Sequence, residues 1–214
     1  LQKAPYEVND FSPISLLVRE VNVLVVHPSV PARSVQELIA LAKARPGELN
    51  AGVSVLGSPA HLSVELFKSL AGVKIVNVPY KGAAIGVTAL IAGEVQMSIA
   101  DVGLVAAHTK SGKLRALAVT NAEPSPLVPG MPPVAASGVP GFEWVAATGI
   151  WAPARTPGAI INRLNQEIVR VLGRADVKER FLSAGADTIG SSPENFATLI
   201  KSEIAKMSKL INDA

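Results

Sequence analysis

The chain has 214 residues, enough for one domain or two small lobes. Hydrophobic residues make up 49% and charged residues 17%, which is too apolar for a disordered chain, yet no apolar run approaches the roughly 20 residues that would span a bilayer. Twenty Lys+Arg against 17 Asp+Glu leave +3 with no basic cluster, too weak a balance to suggest a nucleic-acid protein; no cysteine is present, which excludes disulfides, thiolate metal sites and cysteine nucleophiles.

Short β-rich runs alternate with amphipathic helices along most of the chain. Val21 to His27 is β-branched and ends at Pro28, so it reads as a strand. Ser34 opens a helix that Pro46-Gly47 stops, with Glu37 completing a capping box and Leu38, Ile39 and Ala42 on one face. Leu49 to Ser54 is a short strand, and the loop Val55-Leu56-Gly57 leads to a helix with Ser58 at its cap and Pro59 at its first position. Leu62, Leu66, Phe67 and Leu70 are expected to carry the apolar face of that helix, which Gly72 ends. Lys74 to Val78 is a strand followed by the loop Pro79-Tyr80-Lys81-Gly82. A helix over Ala84 to Ala92, a strand over Val95 to Ala100, a helix over Val102 to Lys110 and a strand over Leu114 to Thr120 complete the series. Such alternation predicts an α/β layer with a mostly parallel sheet.

Asn121 to Gly141 contains Pro124, Pro126, Pro129, Pro132, Pro133 and Pro140, and reads as a loop. Beyond it lie a strand over Phe142 to Ala152, with Trp144 and Trp151, and three helices. Thr156-Pro157 should cap the first, which carries Ile160, Ile161, Leu164, Ile168 and Leu172. The second runs from about Asp176 to Ala184. Ser192-Pro193 caps the third, whose stripe is Phe196, Leu199, Ile200, Ile204, Met207 and Ile211. Three helices on a lone strand lack a sheet to pack on. That sheet is either shared with the front of the chain or encoded before Leu1.

Little in the sequence suggests catalysis. His27, His61 and His108 stand apart, without metal-ligand spacing, and no metal or cofactor is expected. Gly52-Val53-Ser54-Val55-Leu56 is half of a nucleophile elbow, with Leu56 where the second glycine belongs. Asp101 and His108 follow in triad order but too close together on one helix to serve Ser54 as a hydrolase. No nucleotide-binding glycine pattern occurs.

The strand–loop–helix junction at Ser58 is of more interest, because the unpaired N–H groups of a first helical turn attract anions. Ordinary capping is the plainer reading. His61, in the same turn, either faces a ligand or packs; packing is the plainer reading. Tyr80-Lys81-Gly82 and Asp101 follow other strands, at the edge where ligands collect in open α/β sheets if the strands are parallel. A surface aromatic, a solvated charge and a helix cap are the plain readings of Tyr80, Lys81 and Asp101.

At these residues the chain resembles a known family. LNAGVSVLGSPAHL, IVNVPYKGAAIGVTALIAGEVQ and SGKLRALAVT, with the later GVPGFEWVAATGIWAPARTP, are similar to the periplasmic substrate-binding proteins of tripartite tricarboxylate transporters, the Bug family. The resemblance runs from about Phe11 to the end. It implies a two-lobed periplasmic-binding-protein-like (Venus-flytrap) α/β fold that holds a small carboxylate in an interlobe cleft without turning it over. It also implies a periplasmic location and, as partners, the membrane subunits of the transporter. Carried onto this chain, the ligand residues are Ser54, Gly57, Ser58, Pro59 and Ala60, with the Ser58–Ala60 amides at the helix start, together with Tyr80, Lys81, Gly82 and Asp101.

Two departures qualify the resemblance. Val53, Val55 and Leu56 stand where the family carries small or polar residues, and Ser58 takes the place of a threonine. So apolar a loop would favour an aromatic or aliphatic acid. A complete member also supplies a strand, a Pro/Gly-rich loop and a helix, after a signal peptide, before the segment matching Phe11. The expectation is therefore a complete second lobe over 20–140 and an incomplete first lobe. That first lobe would be built from 141–214, with 1–19 as its remnant and hinge. Its apolar helix faces would be bare unless it pairs, as a homodimer or by swapping. The competing reading is a degenerate or truncated paralogue that acts as an interaction module without a ligand.

Overall fold

The computed structural model describes residues 5–125 and 127–213, with side chains through residue 208. Residues 1–4, Pro126 of the proline-rich loop and the Ile211 side chain of the last helical stripe lie outside the described residues. The chain divides into two compact units, residues 5–20 with 147–213 and residues 21–146.

The larger unit holds strands β2 (Asn22–Val26), β3 (Asn50–Val53), β4 (Val76–Pro79), β5 (Met97–Asp101) and β6 (Arg115–Val119) in the order β4-β3-β5-β2-β6. Strand β3 runs parallel to β4 and β5, whereas β2 runs antiparallel to both β5 and β6. The sheet is thus mostly parallel, with one reversed strand inside it. Val23 and Val25 of β2 join a core with Val87, Leu90, Val95 and Val105. Leu24 and Val26, which alternate with them, are buried as well. A strand covered on both faces reads as a continuous apolar run, which is what 21–26 is.

Helices α1 (Val35–Ala44), α2 (Pro59–Ala71), α3 (Ala83–Ile91) and α4 (Val102–Lys110) follow β2, β3, β4 and β5. Ser34 caps α1 by accepting the Glu37 N–H at 3.2 Å. The Glu37 carboxylate reaches back one residue further than a capping box, to the Arg33 N–H at 2.6 Å. On α2 the expected face is corrected. Phe67 is buried as foreseen, but its companions are Ser63, Val64 and Ala71, and Leu70 is exposed. The buried face of the helix is thus turned away from its leucines. Ser63 satisfies its hydroxyl on the Ala60 carbonyl at 2.9 Å. Phe142 packs edge-on against Phe67 at 6.2 Å, and the Trp144 N–H bonds the Thr120 carbonyl at 2.9 Å. The strand expected from Phe142 therefore begins only at Ala146.

In the smaller unit, β7 (Ala146–Pro153), β1 (Phe11–Glu20) and β8 (Ala186–Thr188) form a sheet in the order β7-β1-β8. Of the two sources foreseen for a sheet under the tail helices, the front of the chain supplies its middle strand. Strand β8 pairs antiparallel with β1, Val18 opposite Thr188. Helices α5 (Gly158–Leu172) and α7 (Pro193–Asp213) pack on β1, and α6 (Ala175–Ser183) packs on β8. Polar side chains fasten them. Asn165 of α5 donates to the carbonyls of Ile14 (2.9 Å) and Ser191 (2.7 Å), and the buried Ser15 hydroxyl donates to Ser191 O at 2.9 Å. The N-cap of α5 is Pro157, without a side-chain cap bond, so Thr156 does not cap it. Ile161 and Leu172 of α5 are buried, but Ile160 and Leu164 are exposed, as is Ile204 of α7.

Candidate functional site

Because β3, β4 and β5 are parallel, the residues that follow them share one edge of the sheet. Val53 pairs with Pro79, which sets Ser54 beside Tyr80, and Asp101 closes β5 opposite Asn22. All nine residues carried over from the family resemblance, Ser54, Gly57, Ser58, Pro59, Ala60, Tyr80, Lys81, Gly82 and Asp101, lie at this edge or at the start of α2 that rises from it.

The loop 54–58 is a tight turn. The Ser58 N–H bonds the Val55 carbonyl at 3.0 Å, and Gly57 at the third position has φ +83, a conformation that glycine adopts without a Cβ clash. Val55 and Leu56 point outward, 64% and 61% exposed. Ser58 caps α2, its Oγ accepting the His61 N–H at 3.3 Å and the Ser54 hydroxyl at 2.7 Å.

An inventory of the amides corrects the picture of three anion donors at the helix start. The Ser58 N–H is satisfied by Val55, Pro59 has none, and the Gly57 N–H is taken by His61 Nδ1 at 3.1 Å. Among the described residues the Ala60 N–H is left without a partner. The Ser58 hydroxyl, an acceptor twice, retains its own proton for donation. These two donors sit where the positive end of the helix dipole adds to their pull on an anion.

Behind the turn lies a polar network that sequence reasoning missed. His61 Nε2 faces the Glu65 carboxylate at 3.7 Å, Lys68 Nζ pairs with the same carboxylate at 2.6 Å, and the Asn77 side-chain amide of β4 donates to it. Burial pushes the Glu65 carboxyl up, but the hydrogen bonds from Lys68 and Asn77 and the charge of the Lys68 ammonium outweigh it and hold the group below its ordinary value. The available signal was the i,i+4 spacing of His61 and Glu65 in the first turns of a capped helix.

At the second loop, the Tyr80 N–H bonds the Val53 carbonyl at 2.9 Å, and its ring packs beside Gly52 and Gly86, where a Cβ would meet it. The Tyr80 hydroxyl reaches Glu94 at 3.4 Å. Burial, with the Glu94 carboxylate, pushes the phenol above its ordinary value, so it stays a neutral donor. Lys81 is exposed and has no ion pair among the described residues. Asp101 occupies the N-cap position of α4 but makes no side-chain cap bond, so the simple capping role fails there. Ser54 directs its hydroxyl to Ser58, not to a histidine, and the described residues contain no metal-binding group of three His, Asp or Glu.

The model of the tripartite tricarboxylate transporter family receptor matches residues 1–214. The chain belongs to this family. A UPF0065 protein in the tcbD–tcbE intergenic region of Pseudomonas sp. (strain P51) is 36% identical over 211 residues, covering 98% of this chain and 63% of the relative. The chain thus spans a little under two thirds of that protein's length. Among solved structures, R. palustris Rpa4515 with adipate is 37% identical with a TM-score of 0.89, covering 99% of this chain and 71% of that one. MatC (Rpa3494) from Rhodopseudomonas palustris with bound malate is 27% identical with a TM-score of 0.86, covering 99% and 73%. The fold is that of the periplasmic binding proteins of tripartite transporters, and the family is one of receptors rather than enzymes.

Proposed function

We propose that this chain takes part in binding a small carboxylate solute in the periplasm for delivery to a tripartite tricarboxylate transporter. Its share of the grip is the start of α2, where the Ala60 N–H and the Ser58 hydroxyl receive one carboxylate, with Lys81 adding long-range attraction. The observation that carries the reading is that the Ala60 N–H and the Ser58 hydroxyl proton, at the carboxyl edge of parallel strands, have no acceptor among the described residues, in a receptor family with relatives solved with adipate and with malate.

The exposed Val55 and Leu56 beside these donors suit an acid with an apolar body better than a short hydroxylated one. Each methylene removed from water contributes about 0.8 kcal/mol. Two methylenes of an adipate chain covered by Leu56 would therefore favour adipate about tenfold. Calorimetric titration with adipate, malate and benzoate tests both points. Heat with adipate or benzoate, and a Leu56→Asn variant that loses adipate affinity while keeping its affinity for malate, is expected. Absence of heat with all three acids would favour the interaction module without a ligand.

A further inference from the structure

The Val55–Ser58 turn can close with its central Leu56–Gly57 peptide facing either way, since glycine accepts both signs of φ. One orientation is selected in the structure, and the selecting contact is His61: the Gly57 N–H donates to Nδ1 at 3.1 Å. Nδ1 can accept only if its ring carries its proton on Nε2. Nε2 in turn faces the Glu65 carboxylate at 3.7 Å. That carboxylate is fixed from two other sides, by Lys68 on the same helix and Asn77 on β4.

From this chain of contacts we infer that His61 is a positioning residue of the ligand loop, held in its Nε2–H tautomer by Glu65 so that Nδ1 latches the Leu56–Gly57 peptide. The latch withholds the Gly57 N–H from the ligand and fixes how Leu56 is presented. It rests on the proposed carboxylate site for its function, but not for its existence. His61 itself touches no ligand in this account. The network has a direction: Asn77 and Lys68 set Glu65, Glu65 sets the tautomer, and the tautomer sets the peptide. Glu65 is thereby given a role beyond a helix-surface ion pair, since its removal would act on a loop four residues before His61.

The test is nitrogen-resolved NMR on the 214-residue chain, followed by titration with adipate. In the wild type, Nδ1 of His61 should resonate as an unprotonated nitrogen, Nε2 as a protonated one, and the Gly57 amide should exchange slowly. Glu65→Leu should mix the tautomers and speed Gly57 exchange. His61→Leu should speed that exchange and weaken adipate about three- to tenfold, the worth of one lost hydrogen bond. His61→Asn, whose Oδ1 can stand in for Nδ1, should recover most of both. A protonated Nδ1 in the wild type, or equal Gly57 exchange in the wild type and His61→Leu, overturns the latch. So does an adipate affinity that His61→Leu leaves unchanged. If the wild type shows the expected nitrogens and exchange but gives no heat with adipate, the latch stands and the carboxylate reading falls.

Discussion

Ser58 caps α2 and, in the proposed function, also donates to an anion, and a single charge separates the two roles. Asp ranks with Ser as an N-cap, and its carboxylate can accept the same His61 N–H and Ser54 hydroxyl that Ser58 accepts. The negative charge also interacts favourably with the helix start, by about 0.3–1 kcal/mol. Ser58→Asp should therefore leave the larger unit within about 1 kcal/mol of wild type. A ligand carboxylate bonded to the Ala60 N–H would lie roughly 6 Å from the new charge. In an effective dielectric of about 20 that costs about 2.8 kcal/mol, and screening over a Debye length of about 8 Å brings it toward half. Adipate affinity should fall about ten- to a hundredfold, less at high salt. Stability is read by urea denaturation in a Trp151→Phe background. There the buried Trp144, in the larger unit, is the remaining tryptophan. An affinity within threefold of wild type, with the fold intact, would mean that no ligand carboxylate sits at this helix start.

Three further outcomes follow from the packing and the charges. The Glu65 carboxyl lies below its ordinary value in the folded chain, so its stabilisation is present above the unfolded carboxyl range and is lost as pH falls through the folded pKa. Glu65→Gln should remove this part of the acid limb in a urea-midpoint profile against pH. Phe67→Ala deletes a fully buried ring and its edge-on contact with Phe142, and should cost about 3–5 kcal/mol by the same Trp144 fluorescence. In the smaller unit, a Cβ on Gly149 would collide with the Phe196 ring, which also lies tilted against Trp151 at 5.0 Å. Gly149→Ala should destabilise that unit by about 1–3 kcal/mol, measured by Trp151 fluorescence in a Trp144→Phe background. Shortening Phe196 to Leu should restore part of the loss.

Local signals carried much of the fold. Ser34 and Ser58 as caps, Pro59 at a first helical position and Gly72 in the left-handed conformation at a helix end each act within one turn of chain, which is why α1 and α2 could be placed from residues alone. Strand β1 was not placed. Its Phe11–Glu20 stretch mixes Ser12, Pro13, Ser15 and Arg19 among apolar residues and shows no clean alternation. Its strand character comes from partners over 120 residues away in β7 and over 160 away in β8. Ile14, Leu16 and Val18 do fall two apart and are buried, but Pro13 before them and Leu17 between them break the alternation. The roll of α2 was lost for a related reason. Leucine hydrophobicity marks Leu62, Leu66 and Leu70, but the face turned inward is Ser63, Val64, Phe67 and Ala71.

The site follows the same division. Which residues reach the sheet edge was legible, because strand–loop order places them there once the strands are parallel. Which donors remain for a ligand was not, because that depends on what every other group has already taken. Three successive residues, Ser58, Pro59 and Ala60, looked alike as a source of amides. A turn closure removes the first and ring chemistry the second, leaving the third. Gly57, one residue earlier, gives its amide to a histidine whose plainer reading from the sequence was packing. A grip built on one amide and one hydroxyl is directional rather than strong. The adjoining Val55 and Leu56, exposed beside it, then have more influence on which acid is held than the number of hydrogen bonds does.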